Sequence, residues 1–325
     1  MPSDIGDRPF TPAAYSGFND TDVLAVVLFT HLFDPSVAKR YLKLKDELGK
    51  LARIFILAAR GTSIPPEYAD ETYFFDYDRL RSGAARVIGD KIIPGNVHLV
   101  QLDFYRHHPG FDYYWFIEYD VVFTGNWVTL LDAVKSDHAD LLAAHTRSRA
   151  EEPGWPWWET LDLPGCALQP ADWLRAFFPI YRISGRGFRA VDEHVKSGWT
   201  GHFEGLIPCV LRSAGLSISD FGGSGAWTPK ERRHRFYSSV SFDSGRSLNA
   251  GTHRHKPSHL FPLLRRNTIF HPLKSGPFGE ENGVIQFVRH YRLHELHLRS
   301  VASIRQNSLS LWRTLCRMFD RKSQH

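Results

Sequence analysis

Apolar positions along this chain come mostly in unbroken runs rather than in alternation. Residues 22–29 (DVLAVVLF) are one such run, β-branched and of the length of a strand buried on both faces. Asp34 and Pro35 then supply an N-cap residue and a proline at the first helical position, helical spacing continues to residue 48, and Gly49 marks the stop. Residues 52–59 form a second buried run. Two apolar strands around a crossover helix predict a parallel sheet covered on both faces.

The pattern predicts a third strand at 96–102 (NVHLVQL) and a fourth at 113–123 (YYWFIEYDVVF). A helix follows from Asn126 to about Lys135, then a strand at 139–145, helices at 185–196 and 203–214, and a short strand at 216–221. Residues 222–257 are rich in Gly, Ser, Arg and His without periodicity, as expected of a long functional loop. Order resumes at 268–274, and helical spacing returns from about 282. The expected organisation is a flexible leader at 1–20, one α/β domain at 21–275, and a basic helical extension at 276–325.

Composition narrows the function classes. A 42% hydrophobic and 23% charged chain is globular rather than disordered. The net charge of +5 suits an anionic partner. Basic runs interleaved with aromatics and zinc-finger spacings are missing, so a small polyphosphate or an anionic membrane surface is favoured over nucleic acid. Cys166, Cys209 and Cys316 are an odd number with no close pairing, which argues against a disulfide framework. With no secretory signal and no apolar run of the roughly 20 residues that span a bilayer, the expected location is cytoplasmic. In the tail, Leu311, Trp312, Leu315, Met318 and Phe319 share one helical side with basic residues around it. Such a helix docks on the domain, extends as a solvated end, or lies peripherally on the inner face of an anionic membrane.

Glu118 and Asp120 change the picture most. An apolar aromatic strand is a costly place for two carboxylates unless they stand at its C-terminal end, where open α/β sheets bind their ligands. In extended chain, residues i and i+2 point to one side. Two carboxylates facing a cleft suit Mg²⁺ or Mn²⁺ and, through it, a diphosphate. An isolated E-x-D is more often a plain strand end; the apolar strand before it and the turn and helix after it favour a site.

The stretch FDYYWFIEYDVVFTGNW (111–127) resembles the aspartate-motif segment of glycosyltransferases of the GT-A fold, with E-Y-D in place of D-x-D. It is also similar to the E-P-D strand of fungal α-mannosyltransferases and to related bacterial glycosyltransferase-like proteins. The resemblance extends in element order over about 20–275 and is specific at 113–127, 201–205 and 270–274. It implies a central mixed, mostly parallel sheet flanked by helices, and transfer of a sugar from a nucleotide-diphosphate donor to a hydroxyl of a glycan or glycolipid. It further implies that His271 joins Glu118 and Asp120 at the metal, and that Glu204 serves at the acceptor side as general base or hydrogen-bonding partner. Lys274, after H-P-L, is placed to reach a phosphate oxygen.

Weaker expectations rest on position alone. Thr30, His31 and Arg60 end the first two strands and Asp103 the third, where a base and ribose would sit. Trp155, Trp157 and Trp158 form either a sugar-stacking platform or a hydrophobic plug. Two rivals share the α/β plan: a metal-dependent nucleotidyltransferase, which would carry a Gly-rich loop where this chain has FTHLFDPS, and a non-catalytic carbohydrate-binding protein.

Overall fold

The computed structural model describes residues 23–83, 87–89, 92–238, 252–253 and 266–273. The expected leader, the C-terminal extension with its amphipathic tail, and Lys274 lie outside the described residues. Among the described residues no helix is long and apolar enough to cross a membrane.

In chain order the elements are β1 (Leu24–Thr30), α1 (Pro35–Leu48), β2 (Arg53–Ala59), β3 (Thr72–Phe75), α2 (Tyr77–Gly83), α3 (Val97–His107), β4 (Tyr113–Glu118), β5 (Val122–Phe123) and α4 (Trp127–Val134). They continue with β6 (Leu141–Ser148), β7 (Leu174–Ser184), α5 (Gly185–Lys196), α6 (Phe203–Ser213), β8 (Ile218–Asp220) and β9 (Ile269–Phe270). Among the described residues, seven strands form one sheet in the order β3-β2-β1-β4-β7-β6-β8, and β5 pairs with β9 apart from it. Among the described strands of this sheet, β7 alone runs against its neighbours. This is the central mixed, mostly parallel sheet flanked by helices that the sequence implied.

Strand periodicity divides the core. Ala25, Val27, Tyr114 and Phe116 face one layer with residues of α3, α5 and α6. Leu24, Val26, Leu28, Trp115 and Ile117 face the other with residues of α1 and α4. The caps are those the sequence signals: Asp34 Oδ1 accepts from Val37 N at 2.9 Å, and Asn126 Oδ1 accepts from Val128 N at 2.8 Å.

Two expectations are corrected. Residues 96–102 do not form a strand; they belong to α3, in which every residue from Val97 to Phe104 is buried. A helix buried on all sides has no polar face, and a short apolar run then cannot be told from a strand. Conversely, β7 went unrecognised, although at 11 residues it is a long, wholly buried strand. Its alternation is broken. Between the pairs Leu142–Arg182 and Ala144–Phe177, β6 advances two residues while β7 advances five. Pro179, which cannot donate to a ladder, lies inside that bulge.

Candidate active site

β1 and β4 are adjacent and parallel, yet the chain leaves β1 toward β2 and β3 on one side and returns to β4 on the other. That is a topological switch point, with a crevice outside the C-terminal ends of the two strands. Glu118 ends β4 at this crevice, and Asp120 follows in the turn. The backbone here is anchored on every side. Tyr119 N donates to Phe29 O at 2.9 Å, Val121 N to Glu118 O at 3.0 Å, and Leu273 N to Asp120 O at 2.8 Å.

The small β5–β9 ladder brings in the third group. Val122 opposes Phe270 and Phe123 opposes Ile269, so antiparallel register carries His271 back beside Asp120. His271 Nε2 lies 3.3 Å from Glu118 Oε2 and 3.4 Å from Asp120 Oδ1. One ligand atom from each of the three residues falls within 4.8 Å of the others. Asp120 and His271 are buried, and the Glu118 side chain is 31% exposed, so the cluster opens to solvent on one side. Two carboxylates and an imidazole at this spacing suit Mn²⁺ or Mg²⁺, with the open side left for ligand oxygens. In the protein alone the imidazole is held as a cation. Burial by itself would lower its pKa, but the hydrogen bonds and charges of Asp120 and Glu118 outweigh burial and raise it to about 9.

Glu204 enters from α6. Gly201, at φ +149°, turns the chain into this helix, and a Cβ there would stand 2.4 Å from Leu161 Cδ2. His202 Nδ1 then accepts from Glu204 N at 3.4 Å as the helix cap. The Glu204 side chain is 12% exposed. Burial raises its pKa to about 8; Arg175 and the Phe178 N–H favour its ionised form, Glu118 opposes it, and His271 favours it. Glu204 thus lies near enough to Glu118 and His271 to feel the charge of both. The Phe178 amide belongs to the β7 bulge, so the irregularity that hid this strand in the sequence also serves the site. Arg175 is fully buried against Glu152, with Nε 2.7 Å from Oε2.

The remaining expectations divide. Thr30 is buried at the end of β1, its hydroxyl bonded to Leu32 O. His31 is exposed and packs its ring edge-to-face against Tyr119 at 4.7 Å. Arg60 directly follows β2, its side chain 75% exposed and 3.4 Å from Asp76. Both Thr30 and Arg60 stand on the edge of the sheet that Glu118 shares. Asp103 does not: with α3 a helix it ends no strand, and its carboxylate is taken up by Tyr73 Oη at 2.8 Å and Arg79 at 2.6 Å. The tryptophans differ in exposure. Trp155 and Trp158 are buried, whereas Trp157 is 39% exposed and stacks on His202 with centroids 4.9 Å apart. Sequence reasoning missed Arg175, Phe178 and Tyr181, the last close enough to Glu118 to feel its charge. All three lie on β7, so finding that strand was the signal needed.

No family model and no curated protein matches the chain. Solved structures similar to it include an active-site mutant of LgtC, at TM-score 0.41 and 13% identity over 87% of this chain and 99% of that one. Another is glucosyl-3-phosphoglycerate synthase from Mycobacterium tuberculosis with Mg²⁺ and uridine diphosphate, at TM-score 0.36 and 13% identity over 62% of this chain and 69% of that one. A glucose-1-phosphate thymidylyltransferase-like protein from Bacillus anthracis, in complex with a sucrose, has TM-score 0.36 and 12% identity over 64% and 91% of the two chains. At such scores the chemistry has to be taken from the residues themselves.

Proposed function

We propose that this protein is a metal-dependent glycosyltransferase that moves a sugar from a nucleotide-diphosphate donor to a hydroxyl of a glycan or glycolipid. The observation that carries the reading is the meeting of Glu118, Asp120 and His271 within 4.8 Å at the mouth of the β1–β4 crevice. Those three residues would hold Mn²⁺ or Mg²⁺, whose charge offsets that of a leaving diphosphate. Thr30 and Arg60 stand along the same edge for the nucleotide, and Lys274 follows the described segment that carries His271.

Glu204 is the group for the acceptor. A carboxyl with a pKa of about 8 sits close to neutral pH, where a general base can both lose and gain a proton. Compensating the Glu118 charge by metal binding takes away one cause of that elevation and shifts Glu204 toward its ionised form. Beside it, Trp157 offers one indole face to solvent while His202 supports the other, a flat surface suited to the apolar face of a sugar ring.

A thermal-shift panel of UDP-, GDP- and CDP-sugars, each with and without Mn²⁺, tests the reading. Ligands that bind only the native state raise its stability by mass action. A shift confined to one nucleotide class and requiring the metal is expected. Including mannose-bearing donors also tests the finer likeness to fungal α-mannosyltransferases. Folded protein that shifts with no donor, with or without Mn²⁺, overturns the proposal in favour of a non-catalytic role.

A further inference from the structure

The acidic pair and His271 lie far apart in sequence, so something must fix the distance between the two segments that carry them. The backbone does part of this, through Leu273 N to Asp120 O at 2.8 Å and Thr124 N to Thr268 O at 3.0 Å. A third element also reaches both segments. Arg40, on α1 and only 8% exposed, donates from Nη1 to the carbonyl of Tyr119 and from Nη2 to that of Leu273 at 2.8 Å. Tyr119 is the residue between Glu118 and Asp120, and Leu273 follows His271 by two positions. One planar guanidinium fork therefore fastens the metal-facing turn to the segment bearing the imidazole.

We propose that Arg40 is a positioning residue for the metal site, an inference that rests on the function proposed above. Its base is rigid. Val37, Tyr41, Leu44 and Leu48 of α1 are buried against the sheet, so the guanidinium projects from a fixed helix. A fork with donors in one plane can serve two carbonyls at once; a lysine ammonium is a compact point donor on a flexible stem. Losing the fork leaves two carbonyls without these donors and lets the two segments drift apart. Arg40 itself does not face the cation as a ligand. It acts through the backbone, one step further from the cation than partners that hydrogen-bond the ligand side chains directly.

The test is Mn²⁺ binding alone, measured by calorimetry and by the electron paramagnetic resonance signal of free Mn²⁺, together with the midpoint of thermal unfolding. Wild type is compared with Arg40→Met, Arg40→Lys and the control Lys43→Met, whose ammonium bonds Glu47 and Gly125 O rather than the Tyr119 and Leu273 carbonyls. Positioning predicts a loss of Mn²⁺ affinity on the order of 10- to 100-fold in Arg40→Met, a smaller loss in Arg40→Lys and none in Lys43→Met. The direction is decisive, because removing a positive charge near a dication would by electrostatics alone tighten binding. Folded Arg40→Met that binds Mn²⁺ as well as wild type, or better, overturns the proposal. Should Arg40→Met fail to fold, Arg40→Lys carries the decision: wild-type affinity in that variant also overturns it. If wild type binds no Mn²⁺, the metal-site reading falls and this inference falls with it.

Discussion

The two halves of the sheet are built on different terms. From β3 to β4, four strands run parallel with continuous register, and what they bury is almost wholly aliphatic and aromatic. Beyond β4, β7 runs antiparallel to both its neighbours, the register slips around Pro179, and Arg175, Glu152, Arg182 and Asp220 are buried. The first half is an apolar scaffold whose strand ends form a ledge; the second holds charged side chains in its interior. Charge in a core adds little net stability, but removing one partner is expensive. The strand ends beside the acidic pair and the charged interior around β7 should therefore fail in different ways when perturbed.

The largest expected effect falls on the second half. Glu152→Ala leaves the fully buried Arg175 guanidinium without its carboxylate, which should cost about 3–5 kcal/mol. Thermal or denaturant unfolding reads this directly. A cost below about 1 kcal/mol, as for an exposed pair, would erase the contrast between the halves. Next in size, Asp120→Ala should leave the fold intact yet weaken Mn²⁺ and donor binding by on the order of 100-fold or more. Unchanged affinity in calorimetry would reduce the acidic pair to a structural strand end.

A pH series sharpens the comparison further. His271 has its pKa raised from 6.5 to about 9 and Glu204 from 4.5 to about 8, so in both cases the folded protein holds a proton that the unfolded chain gives up. The stability from His271 is whole below pH 6.5 and is lost as pH rises through about 9; Glu204 erodes stability as pH rises from about 4.5 to about 8. In a chelator, the unfolding midpoint should therefore fall between pH 6.5 and 8. Mn²⁺ must displace the His271 proton, so its affinity should climb up to about tenfold per pH unit below pH 9. A flat affinity between pH 7 and 8 would remove His271 from the ligand set. The smallest effect belongs to the regular half: Asp34→Ala removes the α1 cap and should cost about 1 kcal/mol with no change in Mn²⁺ affinity.

Much of the first half was legible in the sequence. The runs 22–29 and 52–59, the Asp34–Pro35 cap and the Asn126 cap each report a local preference, and local preferences survive in the fold. Glu118 and Asp120 were legible for a related reason, since two carboxylates after an apolar strand need an explanation within the strand itself. Failures came where tertiary burial overrode the local pattern. Burial on all sides gave α3 the sequence of a strand, and the Pro179 bulge took away the alternation by which β7 would be known.

By itself, then, the sequence determined the parallel βαβ core, the helix caps and the position of the acidic pair, because each depends on residues within a few positions of one another. Only long-range packing places His271 3.4 Å from Asp120, brings Glu204 to the Phe178 amide and within reach of the Glu118 charge, and lets Arg40 clasp the two segments. Those are contacts across tens to hundreds of residues. Strand register and helix packing set them, and no local pattern in the chain encodes a distance of that kind.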